Sequence, residues 1–317
     1  MINLITEINS TINNFVWGIP MMVLILGVGV YLSVRCGFPQ FRHFVHIMKN
    51  TMGKAFEKTE KKEGAVSPFK AMCTALAASI GTGNIAGVSG AIAIGGPGAV
   101  FWMWISALLG MCTKFSEVTL AIKYRERNEK GDWVGGPMYY ITKGLGKNWK
   151  WLATLFAIFG ALAAFGIGNM TQINTIASTV NTAISGFIPI TEAQQNTIAL
   201  VIAVICAIIC AIVLLGGIQR LADVCALMVP VMAVIYILGS IVVIACNIPH
   251  LPATLSAIVV GAFNPSAVAG GLAGVGIKTA LTKGVGRGIF SNEAGLGSAP
   301  IAHAAADVDH PVKQGIY

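Results

Sequence analysis

The sequence predicts an all-α protein that crosses a membrane several times. Hydrophobic residues make up 55% of its 317 residues, charged residues make up only 11%, and the mean hydropathy is +0.75. A soluble globular domain carries about 25% charged residues, so this composition excludes a soluble domain. Apolar runs of roughly 20 residues, the length that crosses a bilayer as a helix, recur along the chain.

The positive charge of the chain indicates its orientation in the membrane. The formal net charge is +8, which in a soluble protein would suggest a nucleic-acid partner. In a membrane protein Lys and Arg gather in cytoplasmic loops, so we expect a lipid bilayer around the chain and no nucleic acid. The seven cysteines lie mostly in apolar runs without a C-x-x-C pair, which indicates small buried side chains rather than disulfides or metal ligands.

The first apolar span covers residues 15–34. The residues before it hold no Lys or Arg, and positive charge follows it, which is the reverse of a cleaved signal peptide. We therefore expect this span to cross with the N-terminus outside. Residues 36–70 follow as a basic, amphipathic connector on the cytoplasmic face.

Six further spans are predicted after the connector. Threading them back and forth places residues 1–14, 95–98, 181–198 and 247–262 outside, and none of these segments contains Lys or Arg. This asymmetry predicts a cytoplasmic C-terminal segment, with Lys278 near an inner helix end. The six spans are residues 71–94, 99–122, 151–180, 199–215, 224–246 and 263–281.

The span over residues 71–94 contains a predicted break. Gly81, Thr82, Gly83 and Asn84 lie at its centre, and this combination forms turns better than helix. A backbone that opens within lipid leaves amide and carbonyl groups unsatisfied, so an opened turn must line a cavity inside the protein. The half-helix ends at such a break offer N–H groups to an anion and carbonyl groups to a cation, which is the chemistry of a transport site.

Two other interpretations of these glycines are available. Glycines let membrane helices pack closely, but packing does not require the polar Thr82 and Asn84 beside them. The pattern G-x-G-x-x-A at the break also matches the dinucleotide-binding fingerprint. That fingerprint needs a preceding strand and an acidic residue about twenty positions later, whereas the first acidic residue here is Glu117. Nucleotide binding is therefore rejected.

Four segments of the sequence form long and distinctive motifs. They are IGTGNIAGV (80–88), GGPGAVFWMW (95–104), GIGNMTQ (166–172) and FSNEAGLGSAP (290–300). With these motifs the chain resembles the alanine or glycine:cation symporters from about Phe15 to its C-terminus. The resemblance implies a secondary active transporter of the plasma membrane that takes up alanine or glycine with sodium by alternating access. It also implies a leucine-transporter-like fold of two inverted five-helix repeats.

The resemblance assigns a domain layout. Residues 1–35 become an extra N-terminal transmembrane helix, residues 36–70 the connector, and residues 71–246 a complete first repeat. Residues 247–317 then open the second repeat with one transmembrane helix and a cytoplasmic segment. Because the chain stops at Tyr317, before the remaining helices, we expect a C-terminally truncated member with an incomplete second repeat.

The break supplies most of the candidate site. We expect the N–H groups of Thr82 and Gly83 to receive the substrate carboxylate. Asn84 can offer its amide to the substrate or its side-chain oxygen to a cation. Sodium prefers oxygen ligands, so the other sodium candidates are the carbonyl groups near Ala77 and Ile80, with Ser79 as a weaker one.

Two further spans contribute candidates. Gln172 lies in an apolar span, where its amide is costly in lipid unless it faces the cavity or bonds a neighbouring helix. In an inverted repeat, the glycine-rich span over residues 263–281 is the second-half counterpart of the broken span in the first half. We select Gly274 and Ile277 there as lining of the substrate pocket.

Polar residues elsewhere receive simpler interpretations. Lys114 and Glu117, three residues apart, are expected to form a mutual ion pair. Residues 291–293 (SNE) are interpreted as a cytoplasmic gate or helix cap, and His303 as part of a solvated linker.

Other function classes remain as alternatives. A channel would share the spans and the cavity but needs no closed pocket, and a symporter for another small zwitterionic solute would share the whole pattern. An enzyme would need a nucleophile with a base, or clustered metal ligands, and the broken spans supply neither. We therefore expect no enzymatic activity and no cofactor. Sodium is the expected coupling ion, because neither break holds a carboxylate or histidine that could carry a proton.

Overall fold

The computed structural model describes residues 2–51, 53, 65–166, 169–264 and 276–317. In this part of the chain the regular structure is helical, apart from one isolated bridge and one short antiparallel ribbon. The ribbon pairs β1 (Glu126–Arg127) with β2 (Trp133–Val134). The all-α class predicted from composition is confirmed.

In the described residues, four α-helices precede the span that contains the predicted break. Pro20 lies in the first turn of the second of them, where the missing N–H of proline costs no helical hydrogen bond. The four are α1 (Ile2–Val16), α2 (Ile19–Arg35), α3 (Pro39–Arg42) and α4 (Phe44–Thr51).

The break itself separates α5 (Pro68–Ser79) from α6 (Val88–Gly95). A π-helical turn over Gly83–Gly87 lies between them. The next helix, α7 (Gly98–Tyr124), crosses without interruption.

The remaining helices complete the chain. The longest is α12, a 30-residue helix whose internal Pro230 does not end it. They are α8 (Pro137–Leu145), α9 (Lys150–Gly166), α10 (Met170–Ser185), α11 (Glu192–Leu214), α12 (Gly217–Cys246), α13 (Leu251–Phe263), α14 (Ile277–Asn292), α15 (Ser298–His303) and α16 (Pro311–Ile316).

Among the described residues, five helical stretches are long and apolar enough to cross a membrane. The pair α5 and α6, bent by 49°, brings the total to six if it counts as one broken span. The chain is thus a multi-pass membrane protein, while most of the predicted span over 263–281 lies outside the described residues. The five stretches are Thr6–Arg35, Gly98–Tyr124, Lys147–Ser185, Glu192–Leu214 and Gly217–Cys246.

α7 lies at the centre of the packed region, with α2, α13, α14 and α16 against it. The close approach of α14 depends on glycine. A Cβ built on Gly284 would lie 2.4 Å from the carbonyl oxygen of Ala99, and one on Gly288 would lie 2.5 Å from Oγ of Ser106. Because these two pairs advance together along both helices, α14 runs in the same direction as α7.

Lys278 does not lie where the sequence predicts. It lines a surface cavity together with Asn14 and Ile94, which belong to or adjoin the segments predicted to be outside. The Cβ of the neighbouring Lys283 lies only 3.2 Å from a Cβ built on Gly95. The structure thus places Lys278 and residues 95–98 at the same end of the bundle, whereas the predicted layout places them at opposite ends. The physical reason is that the packed helix here is α14, which is shifted along the chain from the predicted span and begins beside the Gly95 end of α6.

The C-terminal segment lies at the other end of α7. Arg125, the residue after α7, donates hydrogen bonds to the carbonyl oxygens of Ala304, at 2.9 Å, and of Ala306. Val66, at the end of the basic connector, forms a parallel bridge with Ala306. The C-terminal segment therefore shares the end of the bundle that carries the connector.

Candidate functional site

The break between α5 and α6 has a defined geometry. α5 ends at Ser79, and Ile80 adopts an extended backbone with φ −92° and ψ 97°. The chain then passes through Gly81 and Thr82 into the π-helical turn, which directs α6 at 49° to α5. The interruption that the glycines predict is present.

Asn84 fixes the shape of this break. Its side-chain Nδ2 donates a 2.8 Å hydrogen bond to the carbonyl oxygen of Ser79, and its backbone N–H donates to the carbonyl of Gly81 at 3.0 Å. The side-chain oxygen of Asn84 is then the group that can accept a bond or contact a cation. The carbonyl of Ser79, one of those that the break releases, is already occupied by this amide.

A cavity of about 270 Å³ lies beside the break. Pockets for drug-sized ligands measure roughly 300 to 1,000 Å³, so this one suits a smaller solute. Among the residues that the structure describes, no Asp or Glu lines it. The lining residues are Met72, Ala75, Leu76, Ser79, Ile80, Asn84, Lys114, Val118, Ser291, Asn292, Ala299, His303, Gly315 and Tyr317.

Two buried oxygen atoms near the break have no hydrogen-bond partner among the described residues. They are Oγ of Ser291, whose residue is only 8% exposed, and Oε1 of Gln172. A buried polar atom without a partner costs about 1 to 3 kcal/mol, so each marks a place where a ligand or water would stabilise the protein. Gln172 lies against the break, since a Cβ on Gly81 would be 3.9 Å from its Nε2.

The other predicted site residues are distributed unevenly. Ile80, Ser79 and Asn84 line the cavity, whereas Thr82 and Gly83 lie in the break without lining it. The side chain of Ala77 is exposed on α5. Ile277 is 48% exposed at the start of α14, about 21 Å along the helix from Ser291 at 1.5 Å per residue, so the structure does not bring it to this cavity. Gly274 lies outside the described residues.

Lys114, Ser291 and Asn292 are among the lining residues that were not predicted as part of the site. Lys114 lines the cavity, and in the described part of the chain no ion pair joins it to Glu117. Oε2 of Glu117 instead accepts a hydrogen bond from the backbone N–H of Gly295 at 3.3 Å. Ser291 and Asn292 also line the cavity, because α14 places them beside the break rather than at a distant gate. The clue in the sequence is the position of Ser291 four residues after Arg287, on the same helical face.

His303 forms one wall of the cavity, outside the membrane-spanning helices. Its Nδ1 lies 2.7 Å from Nε2 of the buried Gln314, which also donates to the carbonyl of Pro68. Burial lowers the pKa of His303 to about 3, and the positive charge of Lys114 acts in the same direction. The imidazole is therefore neutral at physiological pH and accepts the Gln314 bond at Nδ1. The predicted solvated linker is a packed segment at this residue.

Comparison with known proteins identifies the family of this chain. The family model described as the sodium:alanine symporter family matches residues 2–317. The chain is 48% identical over 311 residues to the sodium/alanine symporter AgcS of Methanococcus maripaludis. The matched region covers 97% of the chain and 64% of that relative. It is 43% identical over 310 residues to the amino-acid carrier protein AlsT of Bacillus subtilis, with 97% and 62% covered.

A third relative carries a different substrate in its name. The chain is 39% identical over 316 residues to the Bacillus subtilis protein named "Probable sodium/glutamine symporter GlnT", with 100% of the chain and 62% of the relative covered. The chain thus spans less than two thirds of the length of each of these three relatives. Since the family model nevertheless covers all but the first residue, the chain belongs to the sodium:alanine symporter family.

Proposed function

We propose that this chain is part of a sodium-coupled symporter that takes up alanine or glycine across the plasma membrane by alternating access. The observation that carries the proposal is the broken helix, whose opened turn borders a cavity of about 270 Å³ lined in part by polar groups. The relative named a sodium/alanine symporter supports sodium and alanine as the solutes.

The cavity offers partners for both ends of a small zwitterion. Asn84, Ser291 and Asn292 supply neutral donors and acceptors, and the Lys114 ammonium favours the carboxylate end. We place the carboxylate near the N–H groups of Thr82 and Gly83, which lie in the break beside the lining of the cavity, at a positive half-helix end. Gln172, whose Oε1 lacks a partner among the described residues, is the proposed contact from the fourth predicted span.

Sodium is the proposed coupling ion because the described lining of the cavity offers oxygen ligands and no carboxylate side chain for a proton. The neutral His303 does not provide an alternative, since its pKa of about 3 lies far below physiological pH. We place the ion among the carbonyls of Ala77 and Ile80, the hydroxyl of Ser79 and the side-chain oxygen of Asn84. Of these, Ser79, Ile80 and Asn84 line the cavity.

The proposal extends to the architecture. Residues 71–246 form the first inverted repeat, and residues 247–317 open the second. The N-terminus lies outside and the C-terminal segment is cytoplasmic. The contact between Arg125 and Ala304 supports the second assignment, because it joins the C-terminal segment to the basic end of the bundle.

Uptake by the full-length protein in proteoliposomes tests this function. An inward sodium gradient should drive accumulation of radiolabelled alanine, with unlabelled glycine as a strong competitor and leucine as a weak one. One methylene is worth about 1 to 3 kcal/mol in a fitted pocket, so a glutamine preference would show a larger cavity in the complete protein. Accumulation driven by a pH gradient without sodium would contradict sodium coupling, and non-saturating flux would favour a channel.

A further inference from the structure

Arg287 on α14 reaches into the break of the neighbouring span. Its Nε donates a 3.0 Å hydrogen bond to the carbonyl oxygen of Gly83, and its Nη2 bonds the same oxygen. In the part of the chain that the structure describes, no carboxylate forms an ion pair with this guanidinium. The contact thus joins a positive side chain directly to the opened backbone.

Two glycines of the π-helical turn make room for this guanidinium. A Cβ built on Gly83 would lie 2.8 Å from Nη2 of Arg287, and one on Gly87 would lie 1.6 Å from the same atom and 1.8 Å from Cζ. The ring of Phe290 lies over the guanidinium, with its centroid 5.1 Å from Cζ, a favourable cation–π distance. A carbonyl, a glycine groove and an aromatic ring therefore enclose the charged group.

The contact stands between two cavities. The first is the cavity of about 270 Å³ already described, lined by Ile80, Asn84 and Ser291. The second measures about 820 Å³ and is lined by Arg287, Gly87 and residues of α1, α2, α6 and α14. The two cavities share no lining residue in the described part of the chain. Arg287 is one helical turn from Ser291, and Gly87 is three residues from Asn84, so the bond to Gly83 lies where the two cavities come nearest.

We propose that Arg287 is a gate residue that closes the passage between the two cavities, and that its release from Gly83 opens the break to the larger cavity. The proposal rests on the transport function proposed above. The guanidinium carries a positive charge beside the proposed sodium ligands, so a cation that binds the break is repelled by it and favours the released state. By thermodynamic reciprocity, release must then raise the affinity for that cation.

Thiol accessibility tests the gate without any assumption about the solute. Ser291→Cys places a thiol in the small cavity, and its modification by a membrane-impermeant methanethiosulfonate is followed by peptide mass spectrometry of the full-length protein in liposomes. The reagent is added separately to each side of the membrane. We expect Arg287→Ala to raise the modification rate at position 291 at least tenfold from the side of the larger cavity. Lys283→Gln, one turn away on the same helix, should leave the rate unchanged.

Gly87→Ala provides an independent route to the same state. The added methyl group would displace the guanidinium, so this variant should match Arg287→Ala. Once Arg287 is already alanine, the further change at Gly87 should have no effect. An unchanged rate in Arg287→Ala, an equal rise in Lys283→Gln, or additive effects of the two changes would each overturn the gate.

Transport provides the second readout. In proteoliposomes loaded with labelled alanine, Arg287→Ala should increase sodium-independent efflux at least tenfold and reduce sodium-driven accumulation. Arg287→Lys keeps the charge but loses the planar fork. Its sodium-independent efflux should lie between that of the wild type and that of Arg287→Ala. If accessibility changes as expected while neither protein moves alanine, the gate stands and the proposed solute is wrong. If alanine efflux is unchanged while the wild type transports, the gate is wrong.

Discussion

The break in the second span and the contact between α7 and α14 use glycine for opposite purposes. In the break, Gly83 and Gly87 leave space for the mobile head of the Arg287 side chain. Along α14, Gly284 and Gly288 leave space for the backbone and the Ser106 side chain of α7. A side chain can move away from a new methyl group, whereas a packed helix backbone cannot. Glycine content alone therefore does not distinguish a functional break from a contact between packed helices. The atoms that occupy the space beside each glycine do distinguish them.

The largest effect is expected from substitutions at Gly284, in the contact between α7 and α14. Gly284→Leu should prevent folding, because even the first added carbon would lie 2.4 Å from the carbonyl of Ala99. Gly284→Ala should lower the free energy of unfolding by about 1 to 3 kcal/mol, the usual cost of overpacking. The yield of monodisperse protein in detergent tests the first expectation, and thermal unfolding of the purified protein measures the second.

Two controls sharpen this comparison. Gly160→Ala in α9, where a Cβ would meet nothing within 4 Å, should be neutral or stabilising by about 0.5 to 1 kcal/mol. Gly83→Ala should leave the melting temperature nearly unchanged while altering transport, since it displaces only a side chain. Equal destabilisation by Gly83→Ala and Gly284→Ala would contradict the distinction drawn between the two regions.

The second expected effect is a dependence of protein stability on pH, caused by His303 in the wall of the cavity. In the unfolded chain His303 has its ordinary pKa of about 6.5, and in the folded protein its pKa is about 3. Between these values the unfolded chain binds a proton that the folded protein does not. Above pH 6.5 His303 therefore does not lower the free energy of unfolding. As the pH decreases from 6.5 toward 3, this free energy falls by at most about 1.4 kcal/mol per pH unit.

His303→Gln separates this contribution from other titrating groups. Glutamine can still bond Gln314 but does not titrate. The melting temperature of this variant should therefore depend less on pH between 6 and 4 than that of the wild type. Parallel curves for the two proteins would show that His303 can be protonated without cost. The solvated linker predicted from the sequence would then describe this segment better.

The sequence predicted the membrane class and the break because both depend on local composition. The apolar runs identify membrane helices wherever they fold, and Gly81 to Asn84 disfavour a continuous helix whatever surrounds them. The short apolar helix α13 was missed, because its 13 residues are fewer than a bilayer-spanning helix needs, and the segment was predicted as an outer loop.

The other misses concern positions set by tertiary packing. The helix α14 carries Lys278, Lys283 and Arg287, and such charges indicate an inner helix end when only the sequence is read. Which end of α7 they meet depends on the glycine contacts at Gly284 and Gly288. The same packing brings Ser291 to the cavity and leaves Ile277 outside it, and no pattern within one helix encodes that choice.

The smallest expected effect is at Asn84, where structure and binding compete for one side chain. Its amide bonds the carbonyl of Ser79, and the proposed ligands contact its oxygen. Asn84→Ala removes one hydrogen bond, worth about 0.5 to 1.5 kcal/mol, and should weaken alanine binding by roughly two- to twelvefold. If Asn84 also joins the sodium site, the loss should be greatest at high sodium, since coupling is reciprocal. Alanine affinity at low and high sodium, in wild type and variant, measures this difference, with Thr82→Ala as a matched variant in the same turn. A loss by the same factor at every sodium concentration would make Asn84 a substrate contact alone, and the release of the Ser79 carbonyl would then have no consequence for the ion.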